Sequence, residues 1–392
     1  MNEDTHLIYM DNGATSFPKP PAVSQAMLHF LSKVGGSPGR SGHRLSQEAA
    51  RTVFDCRESL AALFAVPDSR RIAFTLNATE ALNTALLGLL REGDGVVTTA
   101  MEHNSVMRPL RELVRSRGIA LHVVPCDDSG RLDLDELERA LQKGPRLVAV
   151  NHASNVTGAV VPLEKVGSLA KSAGALMLVD AAQSAGVIPI DVVRDGVDIL
   201  AFTGHKGLLG PQGTGGLWVR EGVEVAPLCR GGTGSNSELE EQPDFYPDRL
   251  ESDTQNAVGL AGLRAGVEFL RATGVDVIAG HERSLAARLL EGLGALRGVV
   301  LHGPPAGDGR TSVVSFTIPG MAPSETGFLL DEAFGVLTRV GLHCAPGAHR
   351  TIGTYPEGTV RLSPGYFTTP GEIEKVTEAV AYVAAKKGGG KG

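Results

Sequence analysis

The chain is poor in the features that mark several classes of protein. It has four cysteines in 392 residues, and Cys56, Cys126, Cys229 and Cys344 lie far apart. Their spacing makes neither a disulfide framework nor a C-x-x-C knuckle, so no metal centre is expected and a reducing cytoplasm is the expected compartment. No uninterrupted apolar stretch approaches the roughly 20 residues of a membrane span. The start, Met1 to His6, is polar and acidic, unlike the basic and apolar regions of a signal peptide. No basic block of five or more residues occurs, and the net charge is -7; both argue against nucleic acid as a partner. Only the tail from Lys386 to Gly392 is low in complexity, and it reads as a frayed terminus.

What remains is the composition of a soluble globular protein, 42% hydrophobic and 21% charged, long enough for two or three domains. From about residue 45 to 230, strand and helix signals alternate. Ser46 is placed to cap a helix whose apolar positions Ala49, Val53, Leu60, Leu63 and Phe64 share one face. Arg71 to Thr75 reads as a strand, Ala81 to Leu90 as a helix and Gly93 to Thr98 as a turn entering a second strand. Further on, Asp133 to Lys143 reads as a helix stopped by Gly144-Pro145, Arg146 to Val150 as a strand and Pro162 to Lys171 as a helix. Repeated βα winding predicts a doubly wound, mainly parallel sheet with helices on both faces. After Asn256 the pattern becomes α+β: a long helix from Ala257 to Thr273, a strand from Ser312 to Ile318 and a final helix from Gly371 to Ala385. The expected division is a large domain, 16–258, and a smaller one built from 1–15 and 259–392.

The chemistry centres on Lys206. It follows the apolar run Asp198 to Phe202 and opens the glycine-rich stretch His205 to Pro211, while a second apolar run, Ala175 to Val179, ends on Asp180. Both residues are placed at the carboxyl ends of buried parallel strands, where open α/β sheets bind ligands. Pyridoxal phosphate needs both groups together: a lysine to bond its aldehyde, and an acid to keep its pyridine nitrogen protonated so that the ring draws electrons. Asn77-Ala78-Thr79-Glu80 stands where a strand hands over to a helix. Its backbone N–H groups and the Thr79 hydroxyl suit a phosphate, although for this segment alone an ordinary N-cap is the better explanation. Thr203 and His205 flank the lysine and are candidates for the same phosphate. His103 follows the Val96–Thr99 strand and is placed to lie against a pyridine ring. Asn155 and Gln183 are candidates for the ring oxygen, Asn155 also for the substrate. Cys344 lies among His343, His349, Arg350 and Gly/Pro punctuation, the setting of an exposed, reactive thiol rather than a core one.

These segments together resemble the class V aminotransferases among the fold-type I pyridoxal phosphate enzymes, and within them the cysteine desulfurases. The resemblance runs from Ile8-Tyr9-Met10-Asp11-Asn12-Gly13-Ala14-Thr15-Ser16 through Thr79-Glu80, Glu102-His103-Asn104 and Ser154-Asn155-Val156-Thr157-Gly158. It continues with Val179-Asp180-Ala181-Ala182-Gln183-Ser184 and Thr203-Gly204-His205-Lys206. It implies Lys206 as the cofactor-bonding lysine, Asp180 on the pyridine nitrogen, His103 stacked on the ring, and Gln183 and Asn155 near its oxygen. It places Ala78, Thr79, Thr203 and His205 on the phosphate, and Asn12, Ala14 and Asn155 beside the substrate.

Arg339-Val340-Gly341-Leu342-His343-Cys344-Ala345 is similar to the segment of Suf-type (group II) desulfurases whose cysteine takes sulfur from the substrate. Val360-Arg361-Leu362-Ser363 matches the arginine that binds the substrate carboxylate, a task suited to a guanidinium fork. Two positions depart from the family. Asp253 stands where the family's Glu-Ala-Gly-Thr-x-Asn segment has glycine, in Glu251-Ser252-Asp253-Thr254-Gln255-Asn256; the threonine of that segment, here Thr254, reaches the phosphate of the neighbouring subunit. Gly39 stands where group II enzymes have a histidine, next to Arg40 at the substrate.

The resemblance therefore implies a homodimer with pyridoxal 5'-phosphate as cofactor. It implies L-cysteine as substrate, L-alanine as product and a persulfide on Cys344 passed to a sulfur-acceptor protein, in the setting of sulfur mobilisation for iron–sulfur cluster assembly. A selenocysteine lyase acting on L-selenocysteine, or another class V aminotransferase, would use most of the same residues. A non-catalytic scaffold is the alternative of another class, and the intact set Asp180, His205, Lys206 and Arg361 argues against it.

Overall fold

The protein is described here from a computed structural model that covers residues 7–39, 42–233, 235, 238, 240–252, 254–307 and 309–386. Arg40 and Asp253 lie outside the described residues. A seven-stranded sheet forms the centre, in the order Ile72–Thr75, Gly215–Val219, Ile199–Thr203, Leu176–Asp180, Leu147–Asn151, Gly95–Thr99, Ala120–Val124. All neighbours are parallel except Gly215–Val219, which runs antiparallel to both strands beside it. The parallel strands at the middle, such as Leu147–Asn151 and Ile199–Thr203, are buried at every position. They therefore read as continuous apolar runs rather than alternating ones.

Two apolar clusters sandwich this sheet. One gathers Phe64, Val97, Val148, Met177, Leu200 and Leu263; the other gathers Leu82, Leu86, Leu110, Leu147, Leu178 and Leu217. The alternation along each strand thus feeds opposite faces, as a doubly wound sheet requires. Gly216 has a packing reason: a Cβ there would stand 2.4 Å from the Phe202 ring, so only glycine lets the two strands pair.

A second, four-stranded antiparallel sheet orders Arg339–Gly341, Thr359–Leu362, Val314–Thr317 and Val300–His302. Its core is shared with the helices Val275–Gly294 and Pro370–Lys386 through Leu285, Leu289, Phe316, Leu362, Val376 and Val380. The amino-terminal strand Ile8–Tyr9 pairs in parallel with Val336–Leu337, and Asp11 bridges Ser363. Residues 8–11 are thereby fastened beside this second sheet.

Most expected elements stand within one to three residues of their predicted bounds, and the Ala257–Thr273 helix coincides with its range. The helix over 44–64 is capped by His43, whose Nδ1 accepts from Ser46 N, and not by Ser46. Ser46 is buried and donates from Oγ to the carbonyls of Ser37 and Gly39. The antiparallel Gly215–Val219 strand, the Ala120–Val124 edge strand and the helices Asn104–Arg117 and Val275–Gly294 add to the predicted set.

Candidate functional site

Three central strands end their parallel run in the same cleft. Asp180 closes Leu176–Asp180, Thr203 closes Ile199–Thr203 and Asn151 closes Leu147–Asn151. The cleft they open into is lined by Lys206, Asp180, Gln183, Asn155, His103 and His205, together with Thr203, Ala78 and Thr79. Nine residues singled out from the sequence thus meet around one space, at the carboxyl ends of the strands where such folds bind ligands.

At one end of the cleft, Ala78 and Thr79 open the Ala78–Leu89 helix. Its N-cap is Asn77, whose Oδ1 accepts from Glu80 N at 3.1 Å. The first N–H groups of a helix have no partner within it and carry the positive end of its dipole, which suits an anion. The capping role and the anion-binding role therefore coexist in one segment. Thr79 Oγ1 lies 2.9 Å from Ser105 Oγ, and Ser105 Oγ lies 2.7 Å from His103 Nδ1. His103 is itself the N-cap of Asn104–Arg117, its Nδ1 accepting from Ser105 N. The ring is held by its own helix start, which fixes its plane towards the cleft.

Asp180 is buried, and its Oδ1 accepts from Ala182 N at 2.9 Å. Burial pushes its carboxyl upward, countered by that bond and by the nearby Lys206 charge. Burial likewise brings the Lys206 ammonium down to about 8, with Asp180 opposing and Arg361 and Arg339 assisting. His103 and His205 are both brought down to about 4, first by burial and next by Lys206, so both rings are neutral around pH 7.

A second cavity lies on the other side of Lys206 and Gln183, lined also by Asn12, Gly13, Glu282, Ser312 and Tyr366. Asn12 faces this space, donating from Nδ2 to Ser363 O at 3.0 Å and accepting from Phe17 N at 3.1 Å. Gln183 Nε2 donates to Gly13 O at 2.9 Å. Ala14 lines neither cavity; its N–H turns back to Asp11 O. Gly13 approaches so closely that a Cβ would stand 3.2 Å from Arg361 Cζ.

Arg361 is buried, with 2% of its surface exposed. Its Nη2 donates to Asp11 Oδ1 at 2.7 Å and its Nη1 to Asn155 O at 3.1 Å, leaving Nε buried without a partner among the described residues. Cys344 is exposed. Its carbonyl accepts from Asn104 N at 2.8 Å, which sets it against the start of the helix that His103 caps. Cys56 is fully buried and Cys126 half-buried, and burial pushes both thiols up to about 12. Thr254 does not join the cleft: it lines a separate groove with Leu76, Gly213 and Asn256.

Residues 8–376 match the family model for aminotransferase class-V. The chain belongs to that family. Among the relatives of this class V aminotransferase is a probable cysteine desulfurase of Pyrococcus abyssi, 38% identical, with 94% of this chain and 92% of that protein aligned. Another, of Methanothermobacter thermautotrophicus, is 35% identical over 96% and 94%. Among solved structures, the apo cysteine desulfurase of Thermococcus onnurineus NA1 superposes with a TM-score of 0.90 at 36% identity, covering 97% of this chain and 95% of that one. The Escherichia coli cysteine desulfurase CsdA superposes with a TM-score of 0.86 at 28% identity.

Class V aminotransferases depend on pyridoxal phosphate, and the cleft fits that group. A buried acid stands beside the lysine at one place, and a helix start stands at another. Asn155 Oδ1 and His205 Nδ1 are buried without partners among the described residues, as expected of polar atoms that wait for a ligand.

Two residues beside the site escaped the sequence reading. Glu102 is buried behind His103, with Oε1 accepting from Thr99 Oγ1 at 2.7 Å and Asn151 N at 3.0 Å. Asp11 holds Arg361. Both belonged to segments already singled out, and the available signal was an acid placed immediately after an apolar strand.

Proposed function

We propose that this class V aminotransferase is a pyridoxal-phosphate-dependent cysteine desulfurase that converts L-cysteine to L-alanine and leaves a persulfide on Cys344. The observation that carries the reading is the joining of two sites: the Lys206–Asp180 cleft, and an exposed cysteine whose carbonyl is bound by the helix that His103 caps.

Lys206 would bond the cofactor aldehyde, Asp180 its pyridine nitrogen, and the helix start at Ala78 and Thr79, with Thr203 and His205, its phosphate. The cofactor, when bound, supplies an electron sink that makes the substrate α-proton acidic. Lys206 takes that proton. Its amine is brought down to about 8, so a substantial neutral fraction exists near neutral pH. His103, neutral and fixed by Ser105, covers the cleft without adding charge. Arg361, braced by Asp11, holds the substrate carboxylate, with Asn12 and Asn155 nearby. Cys344 Sγ attacks the substrate sulfur: the carbon–sulfur bond breaks, a sulfur–sulfur bond forms, and the thiol proton is balanced by the proton gained at the alanine methyl.

The Arg339–Ala345 segment favours the Suf-type subgroup. Residues 16–258 act as the cofactor-binding domain, with 1–15 and 259–392 as the smaller domain carrying Arg361 and Cys344. The enzyme works as a homodimer in which Thr254, remote from its own cleft, reaches the phosphate site of the second subunit; the neighbouring Leu76 is 59% exposed and would be covered there. Among the described residues no helix is long and apolar enough to cross a membrane. A cytoplasmic setting fits the free cysteines, and an acceptor protein, as in iron–sulfur cluster assembly, takes the sulfur.

The test is L-alanine release from L-cysteine with persulfide trapped on Cys344. Release from L-selenocysteine alone would assign the chain to selenocysteine lyases instead.

A further inference from the structure

His343 and Cys344 both adopt left-handed backbone conformations, with φ of +47° and +58°. Neither is glycine, and two such residues in succession persist only where the surroundings over-determine them. Three contacts do so. Asn104 N donates to Cys344 O at 2.8 Å, and Asn155 Nδ2 donates to His343 O at 2.6 Å. The His343 ring, 5% exposed, meets Thr359 Oγ1 through Nε2 at 3.0 Å.

The third contact is the end of a chain. Thr359 Oγ1 donates to Ser315 Oγ at 3.2 Å, and Ser315 Oγ donates to Val156 O at 2.6 Å. With both hydroxyl protons directed that way, His343 Nε2 must be the donor to Thr359, which fixes the ring's tautomer. Burial and the Arg361 charge hold this imidazole down to about 2, so it stays neutral and the chain keeps its direction. Two straps therefore run from the cysteine turn to one segment of the cleft wall: one to the Asn155 side chain, the other through Thr359 and Ser315 to the Val156 carbonyl.

We propose that Asn155 and Thr359 are positioning residues for the Cys344 thiol, clamping the left-handed His343–Cys344 turn to the Asn155–Val156 segment of the cleft. Asn155 also gives its carbonyl to Arg361 Nη1 at 3.1 Å. One residue thus ties the sulfur-accepting turn to the arginine assigned to the substrate carboxylate. The distance between nucleophile and substrate is set by this segment rather than by a freely moving loop. The inference rests on the desulfurase reading for its catalytic consequence; the clamp itself does not.

Thr359 lies outside the cleft lining, so Thr359→Val is the informative variant and Thr359→Ser, which keeps the hydroxyl, its control. Amide hydrogen exchange of the 339–350 peptide in cofactor-free protein reads the clamp without any turnover. The expected result is protection in the native chain and in Thr359→Ser, lost by about ten-fold or more in Thr359→Val and in Asn155→Ala. In the holoenzyme, Thr359→Val should slow persulfide formation from L-cysteine by about ten-fold, while α-proton exchange of L-alanine in D2O stays within about three-fold of native. Unchanged protection and unchanged persulfide formation in Thr359→Val would overturn the proposal, as would an equal loss of both reactions. If the native chain forms no persulfide, the desulfurase reading fails, and hydrogen exchange alone decides the clamp.

Discussion

Arg361 donates from Nη2 to Asp11 Oδ1 at 2.7 Å, across 350 positions of sequence, with the arginine almost wholly buried. The pair fastens the amino-terminal strand to the second sheet and aims a guanidinium beside the cleft. Burial lowers the arginine from its usual range while Asp11 raises it back, so the carboxylate is what keeps the cation affordable there. Removing one partner of a buried pair typically costs about 3–5 kcal/mol. Asp11→Ala is expected to lower Tm and to raise KM for L-cysteine by about ten-fold or more, with a smaller effect on kcat. Steady-state kinetics with a thermal melt check this.

The lowered Lys206 value has a definite sign for stability. In cofactor-free protein the amine titrates at about 8, against 10.5 for the unfolded chain. Between those values the folded state binds fewer protons, so stability rises with pH across that window; below 8 the amine is charged in both states and the cost is constant. Lys206→Met removes the burial cost at all pH values. Its melting temperature in cofactor-free form should exceed the native one at pH 7, with the gap closing towards pH 10. A gap that does not vary with pH would contradict the assignment.

Glu102 gives the opposite slope. Burial pushes its carboxyl up to about 8 from 4.5, against the Thr99 and Asn151 hydrogen bonds. The contribution of the protonated acid is complete below pH 4.5 and is lost as pH rises through 8. Glu102→Gln keeps the shape without the titration. The variant should match the native protein near pH 5 and melt higher above pH 8, whereas Glu102→Ala should be destabilised throughout by the cavity and the unpaired Asn151 N–H.

Glu251 forms a two-pronged pair with Arg57, at 2.7 and 3.0 Å, and also accepts from Phe74 N at 2.6 Å. Both side chains are under 9% exposed. Glu251→Ala strands a buried guanidinium and should destabilise by about 3–5 kcal/mol, while replacing both residues by leucine should recover much of the loss. Denaturant melts of Glu251→Ala and of the double leucine variant decide it. Because Glu251 anchors the segment that carries Thr254, the single variant should also weaken the proposed homodimer, measurable by analytical ultracentrifugation.

Much of this architecture was legible because burial and chemistry coincide in the sequence. The apolar runs ending at Asp180 and Phe202 announced both strands and their ligand-bearing ends, since a parallel strand covered on both faces has no polar alternation to blur it. Gly215–Val219 stayed hidden because its two glycines, one of them needed against Phe202, dilute the strand signal. His43 was missed as a cap because imidazole is an uncommon choice beside the available Ser46. Asp11 was hidden for a further reason: its importance comes from Arg361, 350 positions along the chain, which no local pattern contains. The Asn155 contact with the Cys344 turn is of the same kind.

The most direct test of the account is the reaction itself. Purified protein loaded with pyridoxal phosphate is given L-cysteine, and L-alanine is quantified alongside mass spectrometry of the peptide carrying Cys344, for native protein, Lys206→Ala and Cys344→Ala. The account predicts alanine with one sulfur added to Cys344 in the native enzyme. It predicts no turnover and no lysine-bound cofactor absorbance in Lys206→Ala, and retained absorbance without persulfide in Cys344→Ala. Sulfur transfer that persists unchanged in Cys344→Ala would contradict it.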